Sequence, residues 1–271
     1  MNHSFLPRWM SRLSGVICAL ALSAASAQGE AQKYDAASFP GFVVDEVVVP
    51  VPSEIFSVLD KLGEPNWKQE LRGVKTPTTT DRYELSLIFG TVVAEGFVAV
   101  QAQDKKAVED IGREVLNLAQ SLGLTKAVRP HAQSILDAVE KNDWKAVRKE
   151  FDQTQATVRF EMERTRDIDH AQCVSLGGWL RGTASATSVV AKAYNADRAE
   201  LLNQPMLVEH FSKSITGMSS EAKSNATVAA ISKGLTTIRK AMDSQDGNIT
   251  QEQVTTIRKT SEELLAQILK K

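Results

Sequence analysis

Residues 167 to 173 hold four side chains that can bind a metal or act in catalysis: Asp167, Asp169, His170 and Cys173. On a helix, His170 and Cys173 lie on one face, and imidazole and thiolate are ligands of zinc and copper. A closed site needs further ligands, and the spacing of the other histidines does not require them to converge there. His170 and Cys173 are therefore weak metal candidates. We expect a buried cysteine beside a surface histidine and no cofactor.

Glu95 is a second chemical candidate, because it interrupts an otherwise apolar segment, residues 84–102. That segment is apolar on every face, which indicates a helix surrounded by other helices. A carboxylate there is costly to bury unless it is paired, and Arg181 is the obvious partner. The favoured interpretation is an ion pair that fixes packing register, and the alternatives are a ligand-binding cavity lined by both residues or a Glu95 that reaches solvent.

Small residues recur around Arg181 in the stretch "HAQCVSLGGWLRGTASA", residues 170–186. Gly178, Gly182 and Ala186 are spaced by four, so a helix would align them in one strip without side-chain bulk. Such a strip lets a second helix approach closely and offsets the roughly 1 kcal/mol that each interior glycine costs. We expect helices 84–102 and 171–194 to cross at the centre of the protein.

Trp67 and Trp179 are two further candidate ligand-binding residues. Trp67 lies in the irregular segment "GEPNWKQ", where an aromatic ring can close over a cleft, and Trp179 is close to Arg181 in sequence. The favoured interpretation for both is a packing role, in the core or as an anchor of a helical hairpin.

Signatures of the common enzyme classes are missing from the sequence. It contains no G-x-S-x-G, H-E-x-x-H, C-x-x-C-H or phosphate-binding loop. The segment "MDSQDGNITQEQ" resembles part of a calcium loop, but Met242 and Gln253 stand where the outer carboxylates belong. We therefore predict a protein that is not an enzyme and has no bound calcium.

The N-terminus has the pattern of a secretory signal peptide. Arg8 and Arg12 precede an apolar run, and Ala25 and Ala27 form a small-residue cleavage site. We predict cleavage after Ala27 and a periplasmic or secreted protein with no membrane span in the mature chain. Loss of the two arginines takes the net charge from −1 to about −3, which does not favour nucleic acid as a partner.

The remainder of the chain predicts an all-α protein. Apolar residues recur at spacings of three and four in about nine segments, and short connections between them make neighbouring helices antiparallel. We expect a multi-helix bundle with an extended N-terminal lead-in, and a short array of helical hairpins is the alternative. The predicted divisions are a signal peptide (1–27), an extended segment (28–52), a short helix and linker (53–80) and a helical bundle domain (81–271).

These observations together predict an exported, non-enzymatic helical binding or scaffold protein. Its partner would be another exported protein or a small ligand. The alternative is a helical bundle that binds a metal or small ligand at a polar interior site near Glu95 and Arg181.

Overall fold

Helices make up almost all of the described chain. The computed structural model describes residues 42–44, 47–49, 52–243 and 248–270. The predicted signal peptide, most of segment 28–52 and the centre of the calcium-like loop lie outside these residues. The elements are β1 (Phe42–Val44), β2 (Val47–Val49), α1 (Pro52–Lys61), a 3₁₀ turn (Trp67–Glu70), α2 (Arg82–Gln101), α3 (Lys105–Leu122), α4 (Thr125–Glu140), α5 (Trp144–Arg164), α6 (Ile168–Lys192), α7 (Ala196–Glu200), α8 (Pro205–Gly217), α9 (Ser220–Ser224), α10 (Ala226–Ala241) and α11 (Gln251–Ile268).

The prediction of an all-α multi-helix bundle is confirmed. Nine of the helices in the described residues have ten residues or more, and α7 and α9 have five each. The two short strands pair with each other in antiparallel register, with Phe42 opposite Val49. Extended backbone is therefore present within the predicted N-terminal lead-in, where valines favour it.

Residues at the helix ends explain where several helices start and stop. The Asp104 carboxylate accepts the amide of Ala107 at the start of α3, and Gly123 ends that helix in the left-handed conformation, with φ of 79°. Thr250 and Gln253 form the reciprocal capping box at the start of α11. Short connections at such ends bring α2 against α3, α3 against α4, α4 against α5 and α10 against α11.

Helix α2 lies at the centre of the bundle. Fifteen of its twenty residues are buried, so no face of it is left to solvent, as its uniform apolar pattern predicts. By length and composition α2 is also able to cross a membrane. Within this structure, however, 83% of its apolar window is buried against other helices, which accounts for its hydropathy without a lipid environment.

The predicted crossing of the two central helices is present, and backbones touch there. A Cβ atom added to Gly90 of α2 would lie 1.9 Å from the carbonyl oxygen of Val174, and one added to Gly177 of α6 would lie 2.1 Å from that of Leu87. Only hydrogen at these two positions allows so close an approach. The central helices are therefore fixed against each other by two reciprocal glycine contacts.

On α6, the glycine that contacts α2 is Gly177, one residue before the predicted Gly178. Gly178 lies at the edge of the contact, and a Cβ added to it would lie 3.4 Å from the Gly90 oxygen. A Cβ added to Gly182 would meet no atom within 4 Å, so its expected role at the crossing is wrong. A shift of one residue turns the contacting face of a helix by about 100°. The buried face of α6 accordingly contains Cys173, Gly177 and Ala184.

Residues 53–80 pack on the same core as the rest of the bundle. Side chains of α1 and of the 3₁₀ turn are buried, and the Phe56 ring lies 4.9 Å from that of Phe97. Residues 71–80, named the strap below, then run without regular structure to the start of α2. Polar side chains hold the strap: Thr76 donates to Glu114 of α3, and Thr79 donates to Glu84 of α2 at 2.6 Å.

Candidate functional site

The structure brings Glu95 and Arg181 together, as the sequence predicts. Glu95 lies on α2 and Arg181 on α6, and the two residues are only 4% and 1% exposed. Nε of Arg181 donates to Oε2 of Glu95 at 2.6 Å. The pair is therefore a buried, charge-assisted hydrogen bond between the two central helices.

Both charged groups have further partners. Arg181 also donates through one terminal nitrogen to Ser185 and through the other to the Glu70 carbonyl oxygen at 2.7 Å. The remaining Glu95 oxygen accepts the backbone amide of Arg72 at 2.6 Å. Each Glu95 oxygen and each of the three Arg181 nitrogens thus has a partner within the protein, which offsets the cost of burying the two charges.

The network continues to the surface through Arg72. Its guanidinium makes two hydrogen bonds to the carboxylate of Glu262 on α11, one of them 2.6 Å long. Glu70, whose carbonyl oxygen binds Arg181, has its carboxylate paired with Lys192 at the end of α6. The end of the 3₁₀ turn is therefore attached to α6 through Glu70, and the start of the strap is attached to α2 and α11 through Arg72.

Burial and the ion pair with Glu95 have opposite effects on the pKa of Arg181. Removal from water lowers the pKa of the Arg181 guanidinium, and the charge of Glu95 raises it. Arginine keeps its proton in such surroundings, so the group serves as a fixed cation and a triple donor, not as an acid or base. This chemistry suits the positioning of backbone and helices.

Space for a ligand directly beside the ion pair is small. A cavity lined by Glu95, Arg181 and Thr91 has a volume of about 20 Å³. A cavity needs about 10 to 15 Å³ on this measure to hold one water molecule. The interior site near Glu95 and Arg181 therefore has room for one water and not for an organic ligand in this conformation.

A larger cleft lies on the other side of the strap. Its volume is about 590 Å³, within the range of small-molecule sites, and it opens between the strap and α3. Glu95 lines it, and Arg181 does not. Its apolar wall consists of Leu71, Val74, Ala107 and Ile111, and its polar lining includes Asp104, Lys106, Asp110, Arg113, Glu114 and Asn117.

The two tryptophans named from the sequence lie away from both spaces. Trp67 is buried in the core at 6% exposure, and Trp179 is half-buried with its ring 5.4 Å from that of Phe211. Neither residue lines the cavity or the cleft. The indole N–H of each is buried without a hydrogen-bond partner in the described structure. These contacts agree with the packing role favoured from the sequence.

His170 and Cys173 lie in the first two turns of α6, the helix that packs against α2. The His170 ring stacks on Tyr83 at 4.7 Å, and burial is the largest cause that lowers its pKa. Cys173 is fully buried, and burial raises the pKa of its thiol to about 12. Within the described residues no group of three or more histidine, cysteine, aspartate or glutamate side chains is placed to hold a metal ion.

Several members of the polar network were missed from the sequence. Ser185 is four residues after Arg181, so the helical spacing already indicates that contact. Arg72 and Glu262 are 190 residues apart, and no local pattern connects them. The cleft was missed as well, because the "TPTTT" segment predicts a linker and gives no sign that Thr76 lies against α3.

Comparison of the chain with models of protein families, with curated proteins and with solved structures finds no match.

Proposed function

We propose that this protein is an exported, non-enzymatic helical binding protein that takes a small ligand in the cleft between the strap and α3. The observation that carries this proposal is the cleft itself, about 590 Å³ in volume and bordered by apolar and charged side chains. Apolar walls with a few polar groups are the usual make-up of small-molecule sites.

The surroundings of the cleft favour a binding role. One wall is the regular helix α3, which has a cap at each end, and the other is the strap, where Thr76 is hydrogen-bonded to Glu114 of α3. The one cysteine in the described chain is a poor nucleophile, because its thiol is buried and its pKa is raised to about 12. These features support a binding protein over an enzyme that uses this cysteine.

The binding part of the proposal is tested with a library of small neutral, cationic and anionic fragments and ligand-detected NMR. We expect saturable hits that are lost in the Ala107→Trp variant, since a large ring at Ala107 fills the cleft from α3. Ala156→Trp is the matched control, because Ala156 is exposed on α5 and lines neither space. Hits that bind Ala107→Trp as well as the unmodified protein, or no saturable hit at all, contradict the proposal.

The export part rests on the signal-peptide pattern and has its own test. The full chain is produced in a bacterium with a periplasm, the cells are fractionated, and the mass of the product is measured. We expect a periplasmic product that begins at Gln28, and an uncut product from an Ala27→Phe variant, since a bulky residue replaces the small one at the cleavage site. An uncut cytosolic product from the unmodified gene contradicts this part.

A further inference from the structure

We infer that the cleft binds an amphipathic organic cation, an amine with an apolar body, and that Glu114 is the group that recognises its charge. This inference rests on the proposed function and names the chemical class of the ligand. It follows from the way charges around the cleft are paired and from the position of its apolar wall.

Three of the four carboxylates that line the cleft already have a cationic partner. Glu95 pairs with Arg181, and Asp104 with Lys68 at 3.4 Å. Asp110 pairs with both lysine and arginine on its own helix, Lys106 at 3.1 Å and Arg113. The side chains of these two cations line the cleft as well, are 82% and 65% exposed, and both pair with Asp110.

Glu114 differs from the other three. Its two oxygens accept hydrogen bonds from the neutral groups of Thr76, on the strap, and Asn117, the latter at 3.3 Å. Among the described side chains, no lysine, arginine or histidine forms an ion pair with it. A carboxylate accepts about four hydrogen bonds, so two acceptor positions remain. Glu114 is half-buried, and the two cations that line the cleft, Lys106 and Arg113, pair with Asp110, so Glu114 is the lining carboxylate to which a cationic ligand can bind directly.

The apolar body of the ligand is inferred from the apolar side chains that line the cleft next to Glu114. Val74 of the strap and Ala107 and Ile111 of α3 present methyl groups to the same space. Ala107, Ile111 and Glu114 follow each other at spacings of four and three, so they form one stripe along α3. A ligand with an ammonium group at one end and an apolar body at the other contacts both parts of this stripe.

The test uses three probes with one carbon skeleton: 4-phenylbutylamine, 4-phenylbutanol and 4-phenylbutyrate. Their affinities for the full-length mature protein are measured by calorimetric titration and ligand-detected NMR. We expect the amine to bind at least about fivefold more tightly than the alcohol, and the carboxylate to bind most weakly. The preference for the amine decreases as salt is added, because a partly exposed charge pair is screened.

Two isosteric variants separate the role of Glu114 from a general effect of charge. Glu114→Gln still accepts a hydrogen bond from Thr76, and we expect it to weaken amine binding at least about fivefold while alcohol binding changes less than about twofold. Glu109→Gln removes the same charge from a residue of α3 that does not line the cleft, and it leaves both affinities unchanged.

The outcomes distinguish this inference from the proposed function. If the alcohol or the carboxylate binds in the cleft as tightly as the amine, or if Glu109→Gln weakens the amine as much as Glu114→Gln, the charge inference is wrong while the cleft remains a binding site. If the amine shows no saturable binding up to about 10 mM, the inference is wrong as well, and the fragment library alone then decides the proposed function.

Discussion

Replacement of Gly90 by alanine tests the central crossing directly. The added methyl group would lie 1.9 Å from the Val174 carbonyl oxygen and 2.8 Å from its carbonyl carbon, whereas ordinary contact begins at 3.4 Å. Both atoms belong to the backbone of a regular helix, so no side chain can rotate away. The two helices must separate locally by about 1.5 Å, and the contacts around the crossing are lost with that movement.

The expected magnitude follows from two opposing effects. Overpacking of a core costs typically about 1 to 3 kcal/mol, and a rigid backbone neighbour places Gly90→Ala at the upper end. Alanine favours helix over glycine by about 1 kcal/mol. We therefore expect Gly90→Ala to lower the free energy of unfolding by about 2 kcal/mol. Gly182→Ala meets no atom within 4 Å and should raise it by about 1 kcal/mol.

The assay is urea unfolding of the purified protein, followed by circular dichroism at the helix band. The variants are Gly90→Ala, Gly182→Ala and Gly177→Ala, with the double variant of Gly90 and Gly177. The double variant should lose less free energy of unfolding than the two single variants lose together, since one separation of the helices relieves both contacts. Equal stability of Gly90→Ala and Gly182→Ala would refute the close crossing.

Three further predictions follow from the buried polar groups. Arg181→Met leaves Glu95 buried without its cation and should lower the free energy of unfolding in urea by about 3 to 5 kcal/mol. Arg181→Lys should also destabilise the protein, because one ammonium group cannot reach the three partners of Arg181 in the same geometry. Burial lowers the pKa of His170 below its ordinary value of 6.5, so protonation favours the unfolded chain. The free energy of unfolding should therefore fall as the pH drops from about 7 to about 5. His170→Gln should flatten that part of the pH profile, and an unchanged slope contradicts the prediction. Cys173 should resist an aromatic disulfide reagent in the folded protein and react fully in denaturant, and rapid labelling of native protein would show that the thiol is accessible.

Local patterns predict much of this fold because most of its helices carry their own boundaries. Asp104, Gly123 and the pair Thr250 and Gln253 act within a few residues of their own positions, so the sequence alone identifies these ends. The uniform apolar pattern of α2 likewise predicts its central place. The helix ends depend on residues close by in the chain, and the position of α2 depends on the composition of that one helix, so neither prediction needs a contact between particular distant residues.

The site was predictable only in part, since its geometry depends on contacts between distant segments. Glu95 with Arg181 was found because a lone carboxylate in an apolar helix requires a partner. The register of the glycine contact was not found, because Gly177 and Gly178 are adjacent and only the rotation of α6 decides which one faces α2. The strap was interpreted as a linker, since threonines and prolines carry no signal for the helix they lie against.

The connection of the strap to α11 has a consequence for how the molecule is made. Glu262 binds Arg72, and Lys270 binds Glu84 at 2.8 Å, so residues synthesised 190 and 186 positions later hold the region that precedes and begins the central helix. Domains generally fold as units during synthesis, beginning at the N-terminus. In this protein the contact between the strap and α11 forms only after Glu262 has been synthesised, 190 residues after Arg72. Until then, the strap and the first turn of α2 lack the two ion pairs that hold them in the folded protein.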